Sequence, residues 1–175
     1  MRNVVLTTAL AAAAAAALSG LAPVASANPA MIQGSDACSP SFNVLFNDPT
    51  ICNRNGGMPV GVFLQQLQDR KVAGPWRFSP GTVRVDAGAS LTWVNRGGET
   101  HTLSEVSQFG GGGVVPELNE ILFGVPDPPI FFDPSQVTFV PAGGEETIPS
   151  STLTPGTHLF QCAIHPWMEE TVVVS

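Results

Sequence analysis

Basic side chains are scarce in this sequence. It has 7 lysines and arginines against 14 aspartates and glutamates, which gives a formal net charge of −7 at neutral pH. Nucleic-acid-binding proteins need a basic surface, so this balance argues against a nucleic-acid partner. The acidic charge is compatible with long-range steering toward a basic or mixed-charge protein, and equally with plain solubility.

Long apolar runs are lacking beyond the first residues of the chain. Arg2 precedes an apolar run at residues 4–18 and the small-residue motif Ala25-Ser26-Ala27, which is the pattern of a secretory signal peptide over residues 1–27. A membrane anchor is the alternative, but the run of about 15 residues is shorter than the roughly 20 that cross a bilayer. We therefore predict an exported protein that is periplasmic, extracellular or associated with the cell envelope, with no transmembrane segment after signal removal.

Cysteines are few, and their number is odd: Cys38, Cys52 and Cys162. In an exported protein two of three cysteines are expected to pair. Cys38 and Cys52 are close in sequence, and a disulfide between them would close a loop of about 15 residues, which contributes roughly 3 kcal/mol in the chain-entropy model. Cys162 would then remain free in an oxidising compartment, where a bound metal ion would protect its thiol.

The stretch around Cys162 reads Gln161-Cys162-Ala163-Ile164-His165-Pro166-Trp167-Met168. It carries a thiol, an imidazole and a thioether, each three residues from the next, so that a tight loop can turn all three toward one point. This donor set suits a soft metal, copper above all. A trigonal copper site with two histidines, one cysteine and a weak axial methionine needs one further histidine.

Histidines are equally rare, which leaves His101 and His158 as candidates for the further ligand. His158 precedes Cys162 by four residues in a predicted strand, which places it roughly 13 Å away at about 3.3 Å per residue. His101 follows an apolar strand and a turn at Gly97-Gly98, so we predict a metal site formed by His101, Cys162, His165 and Met168.

This pattern resembles the small blue copper proteins, the cupredoxins of the plastocyanin and amicyanin type. The resemblance covers residues 75–175 and rests on the Cys-x₂-His-x₂-Met loop and on the strand at residues 86–95 that leads toward His101. It implies one type 1 copper ion, a one-electron carrier and no enzyme activity. A copper carrier or scavenger without a redox role is the alternative, and a thiol-dependent enzyme using Cys162 and His165 is a third, weaker one because no base and orienting group accompany them.

The resemblance also implies what surrounds the ligands. In relatives the histidine of the loop reaches through an apolar surface patch, so His165 and Trp167 are expected to lie where redox partner proteins dock, on a monomer. Trp167 would either contact the partner or shield the copper from water. Thr102 is expected to hydrogen-bond across to the ligand loop as an orienting residue.

The fold class predicted is all-β: a cupredoxin-like Greek-key β-sandwich over residues 75–175, preceded by an extension at residues 28–74. In the extension, residues 31–55 are expected to be loop, and residues 60–67 a short amphipathic helix that begins at Pro59. A long connection spans residues 104–135, with four glycines at residues 110–113 and a helical turn at residues 116–122. The predicted strands lie at residues 76–78, 82–86, 90–95, 137–140, 146–148, 157–162 and 171–174.

Overall fold

The computed structural model describes residues 30–149 and 151–175, so the predicted signal peptide lies outside the described residues. Two four-stranded sheets form a β-sandwich with a few helices, as predicted. The strands and helices, in chain order, are β1 (Ala30–Ser35), α1 (Pro40–Phe46), α2 (Val60–Arg70), β2 (Arg77–Ser79), β3 (Thr82–Val85), β4 (Leu91–Asn95), β5 (Ser104–Val106), α3 (Pro116–Phe123), a 3₁₀ turn (Pro134–Gln136), β6 (Glu145–Ile148), β7 (Gly156–Gln161) and β8 (Glu169–Val174).

The two sheets are both mixed. In the first, the order is β2-β1-β4-β6, with β1 parallel to β4 and antiparallel to β2. In the second, the order is β3-β8-β7-β5, with β3 parallel to β8. The last strand of the chain therefore lies inside its sheet, between β3 and β7, and this fixes the end of the loop that precedes it.

The core forms because successive strand residues point to opposite faces of a sheet. In β4, Leu91 and Trp93 are fully buried, and in β8 the buried residues alternate as Glu170, Val172 and Val174. β-branched residues such as these valines favour the pleated, half-buried surface.

The expectation of a loop at residues 31–55 is wrong, because this part of the chain contains β1 and α1. β1 has little apolar alternation, and only Ile32 among its apolar side chains is fully buried while Met31 is half exposed. Its pairing with β4, far along the chain, supplies the hydrogen bonds that hold it in place. The helix expected after Pro59 is present as α2, and it buries Phe63 and Leu67 on one face.

Part of the connection between β5 and β6 is buried in the fold and held by side-chain hydrogen bonds. Residues 111–113 are buried, and Asn119 of α3 bonds to both the main-chain N–H and the carbonyl of Gly113. The predicted strand at residues 137–140 is wrong, since only Val140 makes an isolated bridge, whereas the short strand β5 was missed.

Among the described residues, no helix has the length and apolar character needed to span a membrane.

Candidate metal centre

Three predicted ligands come from two distant parts of the chain. His101 follows β4 and is held by a bridge to Val140, with main-chain N···O distances of 3.1 and 2.8 Å. Cys162 comes directly after β7, and His165 lies in the loop before β8. The main chain of Met168 closes that loop, since its carbonyl accepts from Cys162 N at 3.0 Å and its N–H donates to His165 O at 2.9 Å.

The side chains of His101, Cys162 and His165 converge on one point. The Sγ atom of Cys162 lies 3.8 Å from His101 Nδ1 and 3.9 Å from His165 Nδ1, and the two Nδ1 atoms are 3.1 Å apart. One donor atom from each residue lies within 4.8 Å of the others, and all three side chains are buried. These three residues could therefore hold a metal ion through two imidazole nitrogens and one sulfur.

Electrostatics favour the ionised form of Cys162. Burial opposes loss of its proton, but the contacts with His101 and His165 outweigh that effect and lower the pKa of the thiol well below its ordinary value. Burial likewise opposes protonation of His101, but the contacts with Asp36 and Cys162 raise the pKa of His101 to about 9. The thiolate is the form that ligates metals, whereas a metal would have to displace a proton from His101, so its binding would release that proton.

Behind His101 lies a buried aspartate that the sequence analysis missed. Asp36 Oδ2 is 2.9 Å from His101 Nε2, and neither side chain is exposed to solvent. Burial alone would raise the pKa of Asp36, but hydrogen bonds from His101 and from main-chain N–H groups lower it overall. An acidic residue in the loop after an unpredicted strand carries no sequence signal, so only the structure reveals this contact.

Behind His165 lies a second buried carboxylate, also missed. Glu99 Oε2 is 3.6 Å from His165 Nε2 and accepts a short hydrogen bond from Trp76 Nε1. Burial raises the pKa of Glu99, and the charge of His165 and the bond from Trp76 offset part of that rise. Its position two residues before His101 was the one available hint.

The hydrogen bond expected between Thr102 and the ligand loop is present. Its Oγ1 accepts a hydrogen bond of 2.7 Å from Ala163 N, in the ligand loop, and its own main-chain N–H donates to Cys162 Sγ at 3.5 Å. Met168 is fully buried in the main core. Its role as the axial ligand stays a prediction.

His165 is more buried than expected, with an exposed fraction of 4%. The ring of Trp167 packs against it with a centroid distance of 5.3 Å, and Trp76 lies on another side at 6.5 Å. Phe63 of α2 packs in turn on Trp167 and Trp76. Two tryptophan rings thus cover the loop histidine, and a phenylalanine of the extension packs on both of them.

An apolar groove of about 670 Å³ still leads toward His165. Residues of α1, α2 and α3 form most of its walls, among them Phe42, Leu45, Phe46, Phe63, Leu64 and Leu118. His158, the rejected candidate, belongs to β7 and contacts Glu105 at 2.8 Å and Thr154 O at 2.7 Å, so it takes no part in the cluster.

A two-sheet β-sandwich with a buried His-Cys-His cluster between distant segments is an arrangement that fits a blue copper protein. No family model and no curated protein matches the chain. Solved structures that match include a purple cupredoxin from Nitrosopumilus maritimus, with 16% identity, 83% of this chain and 99% of that chain covered, and a TM-score of 0.43.

Amicyanin from Paracoccus versutus matches with 17% identity over 57% of this chain and 73% of that chain, at a TM-score of 0.37. A Cu-containing nitrite reductase from Thermus scotoductus matches with 18% identity over 57% of this chain and 20% of that chain, also at a TM-score of 0.37. At this level of similarity, the function of the site has to be inferred from its own residues.

Proposed function

We propose that the protein is an exported one-electron carrier that holds a single type 1 copper ion. The observation that carries the proposal is the convergence of His101 Nδ1, His165 Nδ1 and Cys162 Sγ within 4.8 Å of one another, in a buried position. Two imidazoles and a thiolate form the trigonal donor set typical of blue copper sites. Bound copper would supply the redox chemistry, taking up and releasing one electron between Cu(II) and Cu(I).

Each residue would have a distinct part in holding the ion. Cys162 would supply the thiolate, and His101 and His165 the two nitrogens. Met168, whose main chain already closes the loop between Cys162 and His165, would supply the weak axial thioether. Because His101 comes from a different segment than the loop, binding of the ion would tie the two together and stabilise the fold.

Burial favours electron transport over an enzyme activity. His101 and Cys162 are fully buried and His165 is nearly so, so a substrate would have to displace packed side chains to reach the sulfur. An electron can cross a few ångströms of packed protein, whereas a substrate cannot. We infer that the protein works as a monomer and that redox partner proteins dock near His165 and Trp167, where the apolar groove approaches the cluster.

Visible spectroscopy of the copper-loaded protein tests the proposal. The oxidised protein should be intensely coloured, should bleach with a one-electron reductant and should recover with an oxidant. Cys162→Ser should abolish the colour, because the charge-transfer band needs the thiolate. His158→Ala is the matched control, since this histidine lies outside the cluster, and it should leave the band unchanged.

A colourless copper complex of the wild type, or a band that survives in Cys162→Ser, would refute the proposal. The alternative function, a copper carrier without a redox role, predicts rapid loss of copper to a chelator together with slow electron exchange. The burial of all three donor residues argues for slow release of the metal.

A further inference from the structure

The buried carboxylate of Asp36 is held in place independently of the histidine that it contacts. Its Oδ1 accepts from Cys38 N at 3.0 Å, and its Oδ2 accepts from Gly98 N at 2.8 Å and from Glu99 N at 2.9 Å. Cys38 is itself fixed by its disulfide to Cys52. The strand β1 and this bridge therefore deliver a rigid acceptor to the back of the candidate metal centre.

The acceptor determines which nitrogen of His101 can face a metal. A carboxylate oxygen 2.9 Å from Nε2 requires a proton on that nitrogen, because two lone pairs would otherwise face each other. A metal-bound ring would be neutral with its proton on Nε2, so that Nδ1, the atom that faces Cys162, would carry the lone pair for the metal. Asp36 thereby fixes both the tautomer and the orientation of the ring.

The same carboxylate places a negative charge close to the centre. The side chain of Asp36 is not exposed to solvent, so water screens its charge poorly. A buried carboxylate is costly unless hydrogen bonds or a cation compensate it, and here three main-chain donors and the imidazole do so. Glu99 faces His165 in a similar way, but its contact is longer, at 3.6 Å, and it is shared with Trp76.

We propose that Asp36 is a positioning residue of the metal centre, which holds His101 for metal binding and favours the oxidised, more highly charged ion. The inference rests on the proposed function. It assigns a task to the N-terminal extension: β1 brings in the charge that shifts the redox equilibrium of a site whose donors all lie after residue 100.

The test is the reduction potential of copper-loaded Asp36→Asn. The amide oxygen can keep the bonds from Gly98 N and Glu99 N, whereas the bond from Cys38 N and the negative charge are lost. The Cu(I)-to-Cu(II) affinity ratio should rise at least about tenfold, which is a potential higher by about 59 mV for a one-electron couple. Asp69→Asn removes the same charge from an exposed position on α2 and should leave the potential close to that of the wild type.

Equal potentials in Asp36→Asn and Asp69→Asn would overturn the inference, even if the Asp36 variant were less stable. A second measurement needs no variant: nitrogen-15 NMR of the Cu(I) wild type should show a slowly exchanging proton on His101 Nε2. Its absence from Nε2 would equally refute the assignment. Failure of the proposed function would look different, as a wild type that binds no copper or stays colourless.

Discussion

A single methyl group at residue 97 would test how rigidly Asp36 is held. A Cβ atom added to Gly97 would overlap Asp36 Oδ2 and would lie 2.8 Å from Asp36 Cγ and 3.1 Å from Asn95 Oδ1. The carboxylate cannot move away without weakening its bonds to the N–H groups of Gly98 and Glu99.

The expected cost combines two effects. Forcing an extra methyl group into a packed site costs about 1–3 kcal/mol, and leaving a buried N–H without its acceptor costs a further ~1–3 kcal/mol. We therefore expect Gly97→Ala to lower the free energy of unfolding by about 2–6 kcal/mol. It should also weaken metal binding, because the displaced carboxylate no longer orients His101.

Urea denaturation of the metal-free protein with its disulfide intact measures the effect. Gly74→Ala is the matched control, since a Cβ there meets nothing within 4 Å. A double-mutant cycle with Asp36→Ala isolates the contact: once the carboxylate is absent, Gly97→Ala should cost much less. The reasoning is refuted if Gly97→Ala costs no more than the control, or if the two penalties simply add.

Two further predictions concern stability. Replacing both Cys38 and Cys52 with serine should lower the free energy of unfolding by about 3 kcal/mol, because the disulfide closes a loop across a sequence separation of 14. Urea denaturation measures this change, and a loss below about 1 kcal/mol would contradict the prediction. Burial raises the pKa of Glu170 from 4.5 to about 7, although Gly81 N donates to it. Its contribution to stability is therefore fully present below pH 4.5 and is lost as the pH rises to 7, so Glu170→Gln should be more stable than the wild type by about 2 kcal/mol at pH 8. Thermal or urea unfolding at pH 4 and pH 8 checks this, with the exposed Glu120→Gln as control, and a gain that is equal at both pH values would refute it.

The parts of the site that could be predicted from the sequence depend on the local spacing of residues or on the small number of residues of one type. Cys162 and His165 are three residues apart, and a short loop brings such side chains together whatever the rest of the fold does. His101 followed from the small number of histidines, and the Cys38–Cys52 pairing from the odd number of cysteines; the disulfide is present in the structure. Met168 remains a prediction on the same local ground.

The parts that could not be predicted depend on contacts between distant segments. The alternation of apolar and polar residues in β1 is weak, and β1 forms a strand because it pairs with β4. Without β1, nothing in the sequence places Asp36 beside His101. The burial of His165 was missed for the same reason, since it depends on how α2 and Trp76 pack over the ligand loop.

For Gly97 and Gly98 the reason that the sequence suggests is incomplete. The sequence suggested that these glycines permit the turn before His101. Neither is among the described glycines with positive φ, so ordinary backbone conformations suffice for them. A side chain at residue 97 would instead overlap Asp36, and one at residue 98 would press on Arg54 and the Cys38 sulfur. The glycines are needed because the extension approaches so closely.

This close approach has a consequence for the proposed function. An electron that leaves through His165 meets a ring that is only 4% exposed, because Trp167 and Trp76 pack on it and Phe63 packs on both tryptophans. The aromatic layer lengthens the path to a partner, but it also keeps water away from the centre, so that few solvent dipoles must reorient when the charge changes. A carrier built in this way depends on a partner that fits the apolar groove, because the groove is where the packed layer over His165 is open to an incoming surface.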